Sequence, residues 1–209
     1  MLKPDEFFHI VIAIIVSAFV LSFLQGSEKF LTSLFYSFLI IFAAVFLKKL
    51  AAYYFETDIR HKTWHWQRFW FAPSSYFKIP IPVGILLPVV LSLLSLGYAQ
   101  WLAFLQFDSR PLKEKAAKKH YGARFSELVE RHLAFIATAG IFGSIILTII
   151  ASIIGAGELA KISIYYAFFN ILPISHLDGT KIFFWSWRLW LFVLALLIAS
   201  WILLVIPFG

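Results

Sequence analysis

The chain has 209 residues, 61% of them hydrophobic, 19% aromatic and only 14% charged, where soluble domains average about 45–50% apolar and about 25% charged. That leaves too little polar surface to coat a water-facing body, and apolar runs long enough to cross a bilayer core of about 30 Å recur along the chain, so a soluble enzyme is excluded. The absence of cysteine excludes disulfides, thiolate nucleophiles and Cys-ligated metals, and the net charge of +7 fits retention of Lys and Arg on a cytoplasmic face, with no nucleic acid as partner.

Five stretches read as full spans: 7–24, 31–50, 132–155, 159–174 and 183–207. The first follows a short lead of mixed charge, and no Ala-x-Ala-like cleavage site comes after it, which points to an anchor and not a removed signal peptide. A sixth apolar stretch, 81–107, is interrupted by Pro82, Pro88 and Gly97 and carries Gln100 and Gln106. It reads either as a sixth span or as a re-entrant hairpin turning at Gly97. Charge decides between them. With a hairpin, only Lys29 and Lys161 fall on the face opposite all other Lys and Arg, whereas a sixth crossing divides the cations almost evenly. The positive-inside rule favours the first distribution. The expectation is therefore an all-α polytopic membrane protein, one membrane domain over 1–209, with five spans plus a hairpin and a cytoplasmic N-terminus.

Two segments remain. Segment 57–80 alternates basic and aromatic residues (His61, Lys62, Trp64, His65, Trp66, Arg68), a mixture suited to the headgroup layer. Its aromatic content and closing prolines favour extended structure. Segment 108–131 is a cytoplasmic basic loop whose run 113–119 reads as a solvated, lipid-facing surface.

Chemistry concentrates in Asn170-Ile-Leu-Pro173-Ile-Ser-His176-Leu-Asp178-Gly179-Thr-Lys181. An amide, a helix-breaking proline and a carboxylate at the end of an apolar span are costly in lipid, and such groups default to a functional reading. The pattern Asn-x-x-Pro-x-x-x-x-Asp-Gly resembles the second signature of the site-2 protease family, intramembrane zinc metalloproteases, and its surroundings look like archaeal members. The resemblance implies that Asp178 stands where the family has its third zinc ligand, and that Asn170 and Pro173 shape the substrate-facing helix end. It implies a helical site-2-protease-like core.

The family's other motif, His-Glu-x-x-His, is absent. The family commonly continues from it with Lys-Leu-x-Ala and an aromatic; Lys49-Leu50-Ala51-Ala52 and Phe55 fit that frame and put the lost motif on residues 44–48. Ala44, Val45 and Lys48 then stand where the first His, the Glu and the second His would be. Residues 139–144, Ala-Gly-Ile-Phe-Gly-Ser, resemble the family's Ala-Gly-Pro-x-x-Asn helix, and Ala139 and Gly143 give small-xxx-small spacing suited to helix contact.

With one carboxylate left at these positions, the expectation is no catalytic residue, no metal and no cofactor. Lys48 is expected to pair with Asp178, because a cation in the place of a metal offsets the cost of a carboxylate in lipid. The functional expectation is a pseudoprotease in a prokaryotic plasma membrane, acting as a binding or scaffold subunit for another integral membrane protein. The alternative is an active metalloprotease with His61, His65 and Asp178 as substitute ligands, the two histidines having i, i+4 spacing. A transporter is a third reading, without the paired broken helices that would support it.

Overall fold

The structure, a computed structural model, describes residues 4–23, 25, 27–68, 76–111 and 125–205. The basic run 113–119 and the middle of the expected loop 108–131 lie outside the described residues. The elements in chain order are α1 (Pro4–Ser22), α2 (Ser27–Tyr54), β1 (Thr57–Thr63), β2 (Trp66–Arg68), β3 (Tyr76–Ile81), α3 (Val83–Leu94), β4 (Leu105–Pro111), α4 (Phe125–Ile153), α5 (Gly157–Ile171), α6 (Asp178–Trp185) and α7 (Trp187–Val205).

The chain is a mostly helical, membrane-embedded protein. Four helices are long and apolar enough to cross a bilayer: Pro4–Ser22, Glu28–Tyr54, Glu130–Ile153 and Trp187–Leu204. The expected span 159–174 corresponds to α5, which has 15 residues and stops before Pro173. At about 1.5 Å per residue it is roughly 22 Å long. The expected span 183–207 is broken at Ser186, whose extended backbone separates α6 from α7.

The extended structure expected in 57–80 is present as β1, β2 and the start of β3, and β4 adds a strand that the sequence reading did not anticipate. The all-α expectation is corrected to that extent. β1 pairs with β4, and β2 pairs antiparallel with β3.

The chain divides into two compact units, Met1–Phe38 with His61–Gln106 and Leu39–Arg60 with Phe107–Gly209. In the first unit α3 packs on α1. Segment 81–107 is not one long helix: α3 is 12 residues, about 18 Å. A turn at Leu96 and Gly97 follows, both with positive φ, and the chain then continues without helix into β4. Gly84 lies so close to the Phe104 carbonyl that a Cβ would collide with it. Its N–H donates to the Trp64 carbonyl at 2.8 Å, and the Trp64 N–H donates to the Phe104 carbonyl at 2.8 Å.

In the second unit α4 packs against α5, α6 and α7. Its apolar centre gathers Ile59, Phe107, Ile136, Ile141, Ile164, Ile171, Ile182 and Val193, all buried.

Candidate functional site

The second unit carries the residues that the sequence reading singled out. Lys48, six residues from the end of α2, and Asp178, the first residue of α6, form an ion pair with Nζ 2.5 Å from Oδ2. Both side chains are 2% exposed. The pair expected from the sequence is therefore present, and Lys48 does not reach outward to a lipid surface. Removing either partner would strand a charge at a site where desolvation is expensive.

Three glycines make room for this arrangement. At Gly140 on α4 a Cβ would collide with the Lys48 side chain, which lies across that helix turn. One turn on, a Cβ at Gly143 would fall 2.8 Å from the Ala43 carbonyl oxygen and 3.4 Å from the Ala44 Cα. Gly140 and Gly143 are the small residues that meet α2, so the expected stripe of Ala139 and Gly143 is corrected by one position; Ala139 is only partly buried. At Gly179 a Cβ would run into the Ile171 and Leu172 carbonyls. This explains the Asp-Gly step: a side chain after Asp178 would push α6 off the end of α5 and carry the carboxylate away from Lys48.

The segment between α5 and α6 follows from its residues. Asn170 uses its amide to donate to the Tyr166 carbonyl one turn earlier, at 2.8 Å. Leu172 leaves the helix in an extended conformation, as the residue before a proline prefers, and Pro173 is exposed. Trp190 on α7 donates its indole N–H to the Ile171 carbonyl at 2.8 Å, satisfying one of the acceptors that a helix end leaves open. Asn170 Oδ1 and Asp178 Oδ1 are buried without a hydrogen-bond partner among the described residues. The buried Tyr166 side chain lies beside Asn170 and within the field of Asp178.

A second lysine completes the cluster. Lys181 Nζ sits 4.1 Å from the centroid of the buried Phe107 ring, and Lys48 Nζ lies 5.4 Å from the same centroid. Lys181 also donates to the His176 carbonyl at 2.8 Å. Burial pushes its pKa down to about 8, against the pull of the Asp178 carboxylate. The sequence reading missed Gly140, Phe107 and Lys181 as parts of this site.

Ala44 and Val45 are buried, at 1% and 8% exposure, on the same stretch of α2 as Lys48. Zinc takes nitrogen, sulfur or oxygen donors, three from the protein in catalytic sites. Ala44 and Val45 supply none, Lys48 supplies a cation, and one Asp178 oxygen is taken by that cation. These residues do not fit zinc.

The proposed substitute ligands are placed differently. His61 is on β1 and His65 just beyond it, so their i, i+4 spacing runs along extended chain, about 13 Å, and not along one helix face. His61 belongs to the first unit, where its backbone N–H and its Nδ1–H donate to the buried Glu6 carboxylate at 3.0 and 2.7 Å. His65 Nδ1 accepts from Gln106 Nε2 at 3.1 Å. Beside the first pair, His9 Nδ1 is 3.0 Å from Thr63 Oγ1. Residues three apart on α1 thus match residues two apart on one face of β1. Among the described residues no group of three or more His, Asp or Glu side chains is placed to hold a metal ion.

No family model matches the chain, no curated protein matches it, and no solved structure matches it.

Proposed function

We propose that the chain is a catalytically inactive relative of the site-2 proteases that serves as a binding or scaffold subunit for another integral membrane protein. In this reading it lies in a prokaryotic plasma membrane with its N-terminus cytoplasmic, crosses five times, and carries 81–107 as a re-entrant hairpin. The observation that carries the reading is the buried Lys48–Asp178 pair. The position aligned with the second His of the missing motif reaches the position aligned with the third zinc ligand, and an ammonium occupies the contact. Asn170, Pro173 and Gly179, the other matches to the family pattern, shape the chain around that pair without needing a metal.

Metal analysis of the purified protein is the first test. The expected result is zinc far below one per chain; stoichiometric zinc lost on Asp178→Ala, or cleavage of a transmembrane substrate lost with the same change, overturns the pseudoprotease. Putting the motif back tests the kinship. Ala44→His, Val45→Glu and Lys48→His made together should give about one zinc per chain, again dependent on Asp178, since two His at i, i+4 and a carboxylate supply three ligands. A folded triple variant that takes up no zinc counts against the family reading. For the binding role, a photo-crosslinker at the exposed Pro173 should capture one integral membrane protein at near-stoichiometric yield in native membranes. Crosslinks to lipid alone would reject it.

A further inference from the structure

The junction of α6 and α7 carries a cation that no acidic side chain among the described residues neutralises. From Gly179 to Gly209 the chain contains Lys181 and Arg188 and no acidic residue. Lys181 is engaged by the His176 carbonyl and the Phe107 ring. Arg188 is exposed and forms no ion pair or side-chain hydrogen bond among the described residues; its guanidinium stands 5.8 Å from the centroid of the neighbouring Trp187 ring.

Position fixes the surroundings of that guanidinium. Trp187 begins an apolar stretch of 18 residues within α7, Trp187–Leu204, about 27 Å and so close to the thickness of the bilayer core. Arg188, in its first turn, must then lie at the headgroup level. Exposed aromatic residues neighbour it along the chain: Phe184, Trp187 and Phe192 are 79%, 57% and 57% exposed. Aromatic rings of this kind hold the level of a helix in the interface. A guanidinium presents paired N–H donors that match two oxygens of a phosphate.

We propose that Arg188, beside the exposed Trp187 ring, is a binding site for the phosphate of an anionic phospholipid. The commitment is to lipid and not to free phosphate, because the exposed Trp187 ring beside Arg188 needs acyl chains or glycerol to cover it. Arg188 holds the headgroup by charge, and the Trp187 ring fixes its depth.

The test is lipid enrichment around the intact protein in nanodiscs of mixed phosphatidylcholine and phosphatidylglycerol, read by mass spectrometry of the lipids that stay bound. The wild type should retain phosphatidylglycerol in excess. Arg188→Gln should lower that excess by about fivefold, the worth of one basic residue near an anionic surface. Arg188→Lys should keep most of it, and Lys181→Gln should leave it unchanged. Equal enrichment in the wild type and in folded Arg188→Gln overturns the proposal, and so does displacement of the bound lipid by inorganic phosphate. A loss in Lys181→Gln matching that in Arg188→Gln would move the site off Arg188 and overturn it as well.

Discussion

Among the described residues each of the two units buries one carboxylate, and the two are held by different partners. In the first, Glu6 is held by His61, which gives it a ring N–H and a backbone N–H. In the second, Asp178 is held by the ammonium of Lys48, and a second ammonium, Lys181, stands over the same Phe107 ring. Both contacts of Glu6 persist with a neutral imidazole, since neither donor needs a net charge. The Lys48 contact is a pair of full charges and depends on both. Glu6 is thus held by donors that work without a net charge and Asp178 by a full counter-charge, and the two devices should fail differently.

The largest difference is expected on removing the acid from the charged pair. Asp178→Ala leaves the Lys48 ammonium buried without a counter-charge and should cost about 3–5 kcal/mol in equilibrium unfolding from detergent micelles. Asp178→Asn should be nearly as harmful, because the amide does not restore the charge. Lys48→Met with Asp178→Leu should recover most of the loss, apolar groups of similar volume being tolerated where a lone charge is not. A double variant as unstable as Asp178→Ala would show that the pair acts through shape alone.

Next come the glycines, which compare rigid with yielding neighbours. Gly84→Ala in the first unit and Gly179→Ala in the second each drive a Cβ into a backbone carbonyl, from Phe104 and Ile171 respectively. The nearest atoms to a Cβ in Gly140→Ala belong to the aliphatic stem of Lys48. The first two should cost at or above the usual overpacking range of about 1–3 kcal/mol, and the third toward its lower end. Gly140→Ala combined with Lys48→Met should be milder than the sum of the two. Strict additivity would mean that Lys48 does not lie across Gly140 as described.

These contrasts also mark how far the sequence could be read. The spans on α1, α2 and α4 follow from apolar runs alone. The Lys48–Asp178 pair was legible because a polar pattern at the end of an apolar span has few explanations, and because the resemblance to the site-2 proteases put Lys48 opposite Asp178. The Glu6–His61 pair was not. Glu6 sat in a mixed-charge lead that suited an anchor's flank, and His61 sat in an aromatic–basic run that suited a headgroup layer; only the packing of β1 beside α1 brings them together. The break at Ser186 was hidden for another reason. Residues 183–207 are apolar on both sides of it, and a single serine in such a run carries no stop signal. The role of Gly140 depends on a long side chain from another helix, which no local pattern encodes.

A smaller effect separates the two devices directly. Glu6→Gln keeps an acceptor for both His61 donors and should cost about 1 kcal/mol, the scale of exchanging a charge-assisted hydrogen bond for a neutral one. Asp178→Asn should cost several times more. Equal costs for the two amide substitutions would erase the distinction drawn between the units.

The last effect concerns the surplus cation and is read against pH. Lys181 lies on α6, outside the four long apolar helices, and burial lowers its pKa from the ordinary 10.5 to about 8. Between pH 8 and 10.5 the folded protein therefore holds fewer protons at this site than the unfolded chain does. Linkage makes stability rise with pH wherever the unfolded state binds more protons, so this group's unfavourable contribution is full below pH 8 and fades through that window. Lys181→Met should remove the slope, leaving stability at pH 7 equal to the wild type or slightly above it, whereas Lys48→Met is expected to be clearly destabilising. The readout is the difference between wild type and Lys181→Met in unfolding midpoint at pH 7 and pH 10, which cancels the titration of every other group. A difference that does not change with pH would mean that Lys181 is no more desolvated than a surface lysine. The asymmetry between the units would then rest on Lys48 and Asp178 alone.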